Sequence, residues 1–398
     1  MGNKKTNWIW LNNWTAEDKE EPAVVLFRKE IAVTGVPKSG KIRISADSRY
    51  KLYVNGKLAE AGPCKGDRQV WYADEVDILP YLRKGKNVLA VRVLRYPAIQ
   101  SKGCFGIFRT EYPGFYAEGK ILDAEGKEYS LDAEEGWKAR KDKNFHIVSE
   151  SELFAPLQIL ENTCGACWQK GWMEPGYKEE GWEEPFVYPD MNCAVSPGNL
   201  QERPIPFLFR KDRQFEKIVQ IKDGSISKED WGEFLNGRKK LIIPPNSHVS
   251  AEISAGAERT GYLHLSMEQG AEAKISILQS ESYVLGGERG DLKVPLKGDR
   301  EDYKNGFLAG FTDHYRCAGY GTEMQPEVYE PFWFRTFRFV RLEIQTDDQP
   351  LVLRSFDYTE TGYPLKVQTK VTASDQRFKK IWEISERTLR CCMNETYE

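Results

Sequence analysis

Short runs of alternating apolar and polar residues, each ended by Gly, Pro, Asn or Asp, dominate roughly the first 100 residues. Isoleucines share one face of residues 41–46, and residues 50–54 run into Asn55-Gly56, a pair that tolerates the positive φ angles of a type I′ turn. The mostly apolar run 88–93 suits a central strand. Because no long helical stripe interrupts this series, the pattern predicts a hairpin at Asn55-Gly56 within a β-sandwich.

A second series of strand-like runs follows an irregular, Trp-rich stretch between residues 137 and 206. Its members are residues 241–243, 261–265, 273–278, 336–344 and 351–353. The alternation from 337 to 344 indicates a strand with one buried face and one wet face. We therefore expect a mostly β protein with two β-sandwich domains, residues 1–200 including the Trp-rich segment and residues 201–370.

The last segment, residues 371–398, changes period and predicts one α-helix. Ser374 is the expected N-cap, with Asp375 in the first turn. The apolar residues that fall on one helical stripe are Phe378, Ile381, Trp382, Leu389, Cys392 and Met393. Since no further domain follows in the sequence for this stripe to pack against, we expect that the helix begins a domain of a longer protein.

Charge and cysteine content exclude several classes of protein. Of the 398 residues, 57 are Lys or Arg and 60 are Asp or Glu, and a net charge of -3 argues against nucleic-acid or anionic-membrane binding driven by bulk electrostatics. No run approaches the about 20 apolar residues that span a bilayer. Eight cysteines are too sparse for a disulfide-built scaffold. No cofactor is indicated, and the compartment stays open.

Cys164-Gly165-Ala166-Cys167 is the motif most open to misreading. Thioredoxin-like chemistry needs such a motif at a helix start in a βαβ unit, and structural zinc needs a second pair of ligands. Neither context is visible in the sequence, so we interpret the pair as structural or incidental and predict no metal site. The four histidines are not at ligand spacing, and His264 in a predicted strand reads as a structural histidine.

Paired carboxylates are present, at Asp74-Glu75 with Asp77 and at Asp347-Asp348, but proximity in sequence does not show that two carboxyls face one another across a sugar. A solvated face or turn is the simpler interpretation of these acids. No phosphate-binding Gly-rich loop and no Gly-x-Ser-x-Gly nucleophile motif occurs.

Residues 62–74 form the most ligand-like patch in the sequence. Arg68, Trp71, Tyr72 and Asp74 combine a planar guanidinium, two aromatic rings and a carboxylate, the groups that bind sugars by stacking and by bidentate hydrogen bonds. We therefore predict carbohydrate binding by these four residues. The structural alternative is that Trp71 and Tyr72 plug one end of the sandwich and that Arg68 pairs with Asp67 or Asp74.

The order of several motifs resembles the α-L-rhamnosidases of glycoside hydrolase family 78. In the first half these are Trp8-Ile9-Trp10, Phe27-Arg28-Lys29, the stretch 48–57 with Tyr50-Lys51-Leu52-Tyr53-Val54-Asn55-Gly56-Lys57, and Gly181-Trp182. In the second half they are Glu281-Ser282-Tyr283, Thr312-Asp313-His314-Tyr315, the stretch 330–340 and Arg387-Thr388-Leu389. The resemblance covers nearly the whole chain, and it departs at residues 164–167 and at Trp333-Phe334.

The resemblance implies that residues 1–200 form a jelly-roll, galactose-binding-like domain, that 201–370 form the second sandwich, and that 371–398 supply the first helix of an (α/α)6 barrel. It further implies inverting hydrolysis by two barrel carboxylates beyond Glu398, so it assigns no catalytic residue here. The implied function is that of an accessory part, bracing the barrel and contacting a rhamnose-containing glycan. The alternatives are a free-standing carbohydrate-binding protein and an adhesin-like tandem, although the two halves show no repeat.

Overall fold

The computed structural model describes residues 7–14, 22–67, 70–96, 112–148, 160–188, 200–289 and 294–396. Strands make up 51% of the structure, which confirms the mostly β fold. The chain divides into two compact units, the first comprising Met1–Ile159 and Trp168–Ile205 and the second Leu160–Cys167 and Pro206–Glu398. Leu160–Cys167, which the sequence places in the first domain, thus belongs to the second unit, because its strand pairs there.

The first unit contains two antiparallel-rich sheets. Its strands are β1 (Trp8–Trp10), β2 (Ala23–Val33), β3 (Pro37–Asp47), β4 (Arg49–Val54), β5 (Lys57–Gly62), β6 (Trp71–Asp77), β7 (Gly85–Arg95), β8 (Gly114–Asp123), β9 (Glu128–Ser130), β10 (Lys138–Lys141), β11 (Phe145–Val148), β13 (Phe186–Val187) and β14 (Leu200–Glu202). One sheet has the order β13-β1-β8-β3-β6-β14, with β9 also on β8, and the other has the order β10-β2-β7-β4-β5; β11 belongs to neither of them. This is the layered arrangement of a sandwich.

Aromatic side chains fill the space between these two sheets. The ring of Phe27 on β2 lies 4.8 Å from that of Phe115 on β8, and Trp10 and Trp137 pack against the same pair. All four side chains are buried. The predicted hairpin is confirmed, since β4 and β5 pair across Asn55-Gly56, whose φ angles are 51° and 77°.

The second unit is built on one large sheet. Its strands are β12 (Leu160–Cys164), β15 (Phe209–Gln214), β16 (Lys217–Asp223), β17 (Leu241–Ile243), β18 (His248–Gln269), β19 (Lys274–Ser280), β20 (Tyr283–Arg289), β21 (Val294–Leu296), β22 (Phe307–Leu308), β23 (Phe311–Arg316), β24 (Glu327–Tyr329), β25 (Arg335–Gln345) and β26 (Leu351–Gly362). The sheet order is β12-β23-β19-β25-β18-β26-β15, with β16 and β24 on β18 and β17 on β26; β20, β21 and β22 form a small separate sheet.

β18 is the central strand of the large sheet, and different strands pair with its first and later parts. Its first part pairs with β16 on one edge, and its later part pairs with β26 on that same edge. An irregularity in the β25 pairing between Ser254 and Arg259 separates these parts, and Gly256 there has φ of 77°. A bulge bends a strand. The apolar sides of both parts consequently contribute to one core, which includes Ile253, Leu263 and Leu265.

The described residues of the second unit include two α-helices. The sequence did not predict α1 (Lys228–Leu235), whose eight residues are too few for a sustained stripe; Ser227 caps it by accepting a hydrogen bond from Asp230 N at 3.1 Å. Trp231, Phe234 and Leu235 bury that helix in the core. Neither helix in the described part of the chain has the length and apolar character needed to cross a membrane.

The predicted C-terminal helix exists as α2 (Arg377–Cys392), but its start was predicted wrongly. Ser374 is not the N-cap; Gln376 holds that position and makes no side-chain cap. Asp375 lies before the helix, where its carboxylate accepts hydrogen bonds from the backbone and guanidinium of Arg377 at 2.9 and 2.6 Å. Asp375 thereby pairs the backbone N–H of Arg377, the first helical residue, without Ser374.

Candidate functional site

The predicted carbohydrate patch lies on and before β6, and the strand divides its members between two faces. Successive side chains of a strand alternate, so Trp71 lies on one face of β6 and Tyr72 and Asp74 on the other. Arg68 lies outside the described residues. A ligand on one face of the sheet therefore cannot contact Trp71 and Asp74 together.

Trp71 is a packed side chain with 3% of its surface exposed. It forms a cluster with Trp8 and Tyr116, and its indole N–H donates to the carbonyl oxygen of Ala46 at 3.3 Å. The Tyr72 side chain is half-buried. Burial of Trp71 fits a structural role. Its partner Tyr116 alternates on β8 with Phe115, however, so the cluster lies on the outer face of this sheet and Trp71 does not fill the space between the two sheets.

Asp74 is fully buried and belongs to a polar network of the first unit. Its carboxylate accepts a hydrogen bond from the Tyr50 hydroxyl at 2.5 Å and pairs with Arg203 Nη1 at 3.0 Å. Burial, and next the Asp74 charge, hold the pKa of Tyr50 well above its usual range, so that hydroxyl stays a donor. Asp74 thus has a described partner, Arg203, that the sequence did not indicate.

The other candidate carboxylates have local roles. Glu75 forms an exposed ion pair with Lys41 at 2.6 Å, and Asp77 accepts a hydrogen bond from the backbone N–H of Leu79 at 3.0 Å. Among the described residues, no three His, Cys, Asp or Glu side chains come together as metal ligands do. Asp74 lies on the other face of β6 from Glu75 and Asp77, so it does not face either of them across a common space.

A groove of about 560 Å³ opens instead on the second unit. Three neighbouring strands, β15, β26 and β18, form its floor. Strand pairing sets Asp212 opposite Thr359, and it sets Gln214 and His264 on either side of Asp357. Because paired residues point to the same face, these five side chains lie in two adjacent rows. Arg213 also borders the groove, although alternation turns its side chain to the other face of β15, where it pairs with Glu360.

The opposite face of the same strands explains why the groove can be polar. Leu263, Leu265, Phe356 and Tyr358 alternate with the groove residues, and all four are buried in the core of the second unit. The core side of the sheet supplies the burial that stabilises it. The groove face is consequently free to carry groups that bind a ligand.

Hydrogen bonds connect the rows of the groove. His264 Nε2 lies 2.9 Å from the Thr359 hydroxyl, which donates to Asp212 Oδ1 at 2.8 Å. His264 Nδ1 lies 3.2 Å from Glu330 Oε2. Partial burial raises the pKa of Asp357, an effect that neighbouring His264 opposes. The groove offers donors and acceptors within a few ångströms of one another, which suits a ligand rich in hydroxyl groups.

Sequence reasoning missed this groove because its members are spread over about 150 positions of the chain. His264 was interpreted as structural, and its bonds to Thr359 and Glu330 fit that role, although it also lines the groove. The available signal was alternation in residues 355–359, where polar residues flank Phe356 and Tyr358. Alternation predicts that one face of a strand is exposed to solvent, but it does not predict which strands lie beside that strand.

Comparison with solved structures gives the fold a family context. The chain is similar to the GH78 family rhamnosidase of Bacillus sp. GL1, with 16% identity and a TM-score of 0.72 over 100% of this chain and 59% of that one. It is similar to the α-L-rhamnosidase of Aspergillus terreus, with 15% identity and a TM-score of 0.65 over 97% of this chain and 39% of that one. It is also similar to the Streptomyces avermitilis α-L-rhamnosidase complexed with L-rhamnose, with 15% identity and a TM-score of 0.60 over 94% of this chain and 32% of that one.

The fold is thus the one found in part of the GH78 α-L-rhamnosidases, and the resemblance seen in the sequence is confirmed at that level. The chain spans about three-fifths of the length of the Bacillus enzyme and about two-fifths or less of the other two. No protein-family model and no curated protein sequence matches it.

Proposed function

We propose that this chain is the non-catalytic accessory part of a rhamnosidase-like glycoside hydrolase that acts on rhamnose-containing glycans. The observation that carries the proposal is the fold match, which takes in 100% of this chain but 59% of the Bacillus rhamnosidase. In this proposal the remainder of the parent protein supplies a helical catalytic domain. The chain braces that domain and contacts carbohydrate.

The exposed side of α2 supports the bracing role. Phe378, Ile381 and Ile384 expose 56%, 55% and 65% of their surfaces, and the helix buries no residue in the described structure. Apolar side chains concentrated on one element are typical of an interface. The proposed catalytic domain would cover them, and without it the chain should self-associate through α2.

The chemistry of the parent follows from what glycoside hydrolysis needs. An inverting enzyme uses one carboxylic acid to protonate the leaving oxygen and a carboxylate on the opposite face of the sugar to activate water. Asp74 is committed to Tyr50 and Arg203, and Glu75 to Lys41. We therefore assign the acid and the base to the helical domain and expect this chain alone to be inactive.

An aryl α-L-rhamnoside assay tests this assignment, with the 398-residue chain measured beside the native protein extended by several hundred residues. The extended protein should turn over the substrate and the short chain should not. Ile381→Ser with Ile384→Ser should lower the stability of the extended protein, whereas Lys379→Ser on the same helix is the matched control. Turnover by the short chain would overturn the proposal and return the search to Asp74, Glu75 and Asp77.

Carbohydrate contact by Arg68, Trp71, Tyr72 and Asp74 stays a prediction, and we place the main contact of the accessory part in the groove instead. Burial of Trp71 and Asp74 leaves them little surface for a sugar. Asp212, Gln214 and Asp357 offer the carboxylate and amide groups that hold vicinal hydroxyls. The alternative function, a free-standing carbohydrate-binding protein, uses the same groove but predicts no hydrolase activity in either arm of the rhamnoside assay.

Calorimetric titration with L-rhamnose and with rhamnosyl oligosaccharides tests the groove. Gln214→Ala and Asp357→Ala should each weaken binding at least several-fold with an unchanged unfolding midpoint. Lys211→Ala is the control, because Lys211 is exposed on the other face of β15. Equal binding by all variants would exclude the groove, and a loss confined to Tyr72→Ala would favour the sequence-predicted patch.

A further inference from the structure

The Cys-x-x-Cys motif acquires a defined setting in the structure that its sequence spacing did not show. Cys164 ends β12, and Cys167 ends the 3₁₀ turn Gly165–Cys167 that follows directly. Neither cysteine is in a disulfide, and both are of intermediate exposure. Residues three apart across a tight turn lie within about 7 Å between Cα atoms, the separation that a disulfide can bridge.

Strand pairing places a cation beside Cys164. β12 runs parallel to β23, and the register sets Cys164 against Arg316. The Arg316 guanidinium donates to Cys164 Sγ at 3.2 Å and holds Glu272 with its other arm, also at 3.2 Å. A guanidinium next to a sulfur favours the thiolate, which is the reactive form of cysteine.

The turn between the cysteines rests on a rigid support. Gly165 packs so closely that a Cβ there would lie 2.4 Å from both Glu327 Oε1 and the Tyr315 hydroxyl. Buried Glu327 in turn accepts hydrogen bonds from that hydroxyl at 2.7 Å and from the backbone N–H groups of Ala318 and Gly319 at 2.7 and 2.9 Å. The support fixes the turn and hence the position of both thiols.

Electrostatics agree with the geometry. Partial burial raises the pKa of Cys164, but hydrogen bonds from Arg316, from the Cys167 thiol and from the Cys167 backbone N–H outweigh that effect and lower it overall. By contrast, burial raises the pKa of Cys391 near the end of α2. The two cysteines should therefore differ in reactivity at neutral pH.

From the juxtaposition of Cys164, Cys167 and Arg316 we infer a site of reversible thiol–disulfide exchange, with Cys164 as the attacking group and Cys167 as the resolving one. The Cys164 thiolate attacks a low-molecular-weight disulfide, forms a mixed disulfide and releases one thiolate, which takes up a proton. Cys167 then loses its proton and attacks Cys164 Sγ, and the second small thiol leaves. The protein loses two electrons and two protons, and the small disulfide gains them.

The site lies outside the groove and does not depend on the proposed glycoside hydrolase role. It also differs from the expectation drawn from the sequence, where the pair was interpreted as structural or incidental. The spacing of the two cysteines could not reveal their structural context. They lie at the end of a strand and in the short helical turn after it, and Arg316 lies in register on the neighbouring strand.

The test uses the 398-residue chain equilibrated with mixtures of oxidised and reduced glutathione at pH 7, followed by alkylation and peptide mass mapping. The expected product is a Cys164–Cys167 disulfide that a dithiol reductant reverses. Cys167→Ser should instead accumulate a glutathione adduct on Cys164. A disulfide joining either residue to another cysteine, or no change at Cys164 in the most oxidising mixture, would overturn the inference.

Alkylation rates separate a reactive site from a merely accessible one. Iodoacetamide at pH 7 should modify Cys164 several-fold faster than Cys391, and Arg316→Gln should remove most of that difference and move the pH profile of the rate upward. Lys274→Gln is the matched control, because Lys274 pairs in register with Arg316 on β19 and is exposed. Equal effects of both substitutions would show that Arg316 acts only through general surface charge and would exclude its proposed role.

Discussion

Acidic side chains stand beside aromatic ones in both units, but the two regions use them differently. In the first unit, Asp74 is fully buried and satisfied by Tyr50 and Arg203. In the second, Asp357 and Gln214 lie on the open face of the sheet and line a groove of about 560 Å³. The same kinds of residue therefore build a core network in one unit and a ligand-accessible surface in the other.

The difference comes from which face of each strand is covered. β6 has apolar Trp71 on one face and the polar network on the other, and both are packed. Around the groove, β26 packs into the core on the side of Phe356 and Tyr358, whereas Asp357 and Thr359 on its other face are partly exposed. A buried polar group must be paired inside the protein, whereas an exposed one can exchange water for a ligand. This contrast predicts how substitutions in the two regions should divide between stability and binding.

The largest effect is expected for Trp71→Ala. Truncating a packed Trp costs about 3 to 5 kcal/mol of unfolding free energy. The cost combines the lost transfer free energy of the removed atoms with the free energy of the cavity that they leave. Urea denaturation measures it, with Tyr72→Ala as the control on the other face of β6, where a loss of about 1 kcal/mol or less is expected. If both variants lost a similarly small amount of unfolding free energy, the comparison would fail and Trp71 would have to be treated as a surface residue.

Asp74→Ala should follow closely. Removing the carboxylate leaves the Arg203 guanidinium, with a side chain 7% exposed, without its charge partner, and breaking a buried pair in this way costs about 3 kcal/mol. The double variant with Arg203→Met should recover part of that loss, since neither charge of the pair then remains. Failure of the second substitution to recover stability would mean that the Tyr50 hydrogen bond carries the effect.

Much of the fold could be predicted from the sequence, because alternation and turn chemistry are local. The Asn55-Gly56 hairpin and the alternation of β25 need only neighbouring residues. Pairing between distant strands is not local. Arg203 reaches Asp74 through the β14–β6 pairing, and Asp212 lies opposite Thr359. Nothing in the sequence around Arg203 or Asp212 predicts these partners. Helix α1 was not predicted for a different reason: its eight residues are too few to show a sustained helical period.

A smaller effect is expected within the groove for Thr359→Val. This nearly isosteric change removes the hydroxyl that bonds His264 and donates to Asp212, so we expect a loss of about 1 kcal/mol or less from a half-exposed site. Glycan affinity should fall more than stability does. A loss of stability comparable to that of Asp74→Ala would erase the distinction between the two regions.

The smallest effect should come from His248, an exposed histidine of the second unit that is paired but not buried. Its Nδ1 lies 2.7 Å from Asp223 Oδ2 and its Nε2 lies 3.2 Å from Glu343 Oε1; hydrogen bonds to Asp223 and then to Glu343 raise its pKa above the usual value. A pKa that is higher in the folded state than in the unfolded chain means that folding favours the protonated ring. The resulting stabilisation is complete below the unfolded pKa of about 6.5 and is lost as pH rises through the folded value.

His248→Gln should therefore lower the unfolding midpoint at pH 5.5 and leave it nearly unchanged at pH 8.5. Because 43% of the side chain is exposed, solvent screening limits the shift to less than about 2 °C, and about 1 M salt should abolish it. His314→Gln is the control, since His314 bonds the neutral hydroxyl of Ser276 at 3.0 Å. A shift that persists in salt would show that pairing sets the energy of a polar cluster even without burial, contrary to the contrast between Asp74 and the groove. A shift that grows with pH would show that the protonated ring is not the stabilising form.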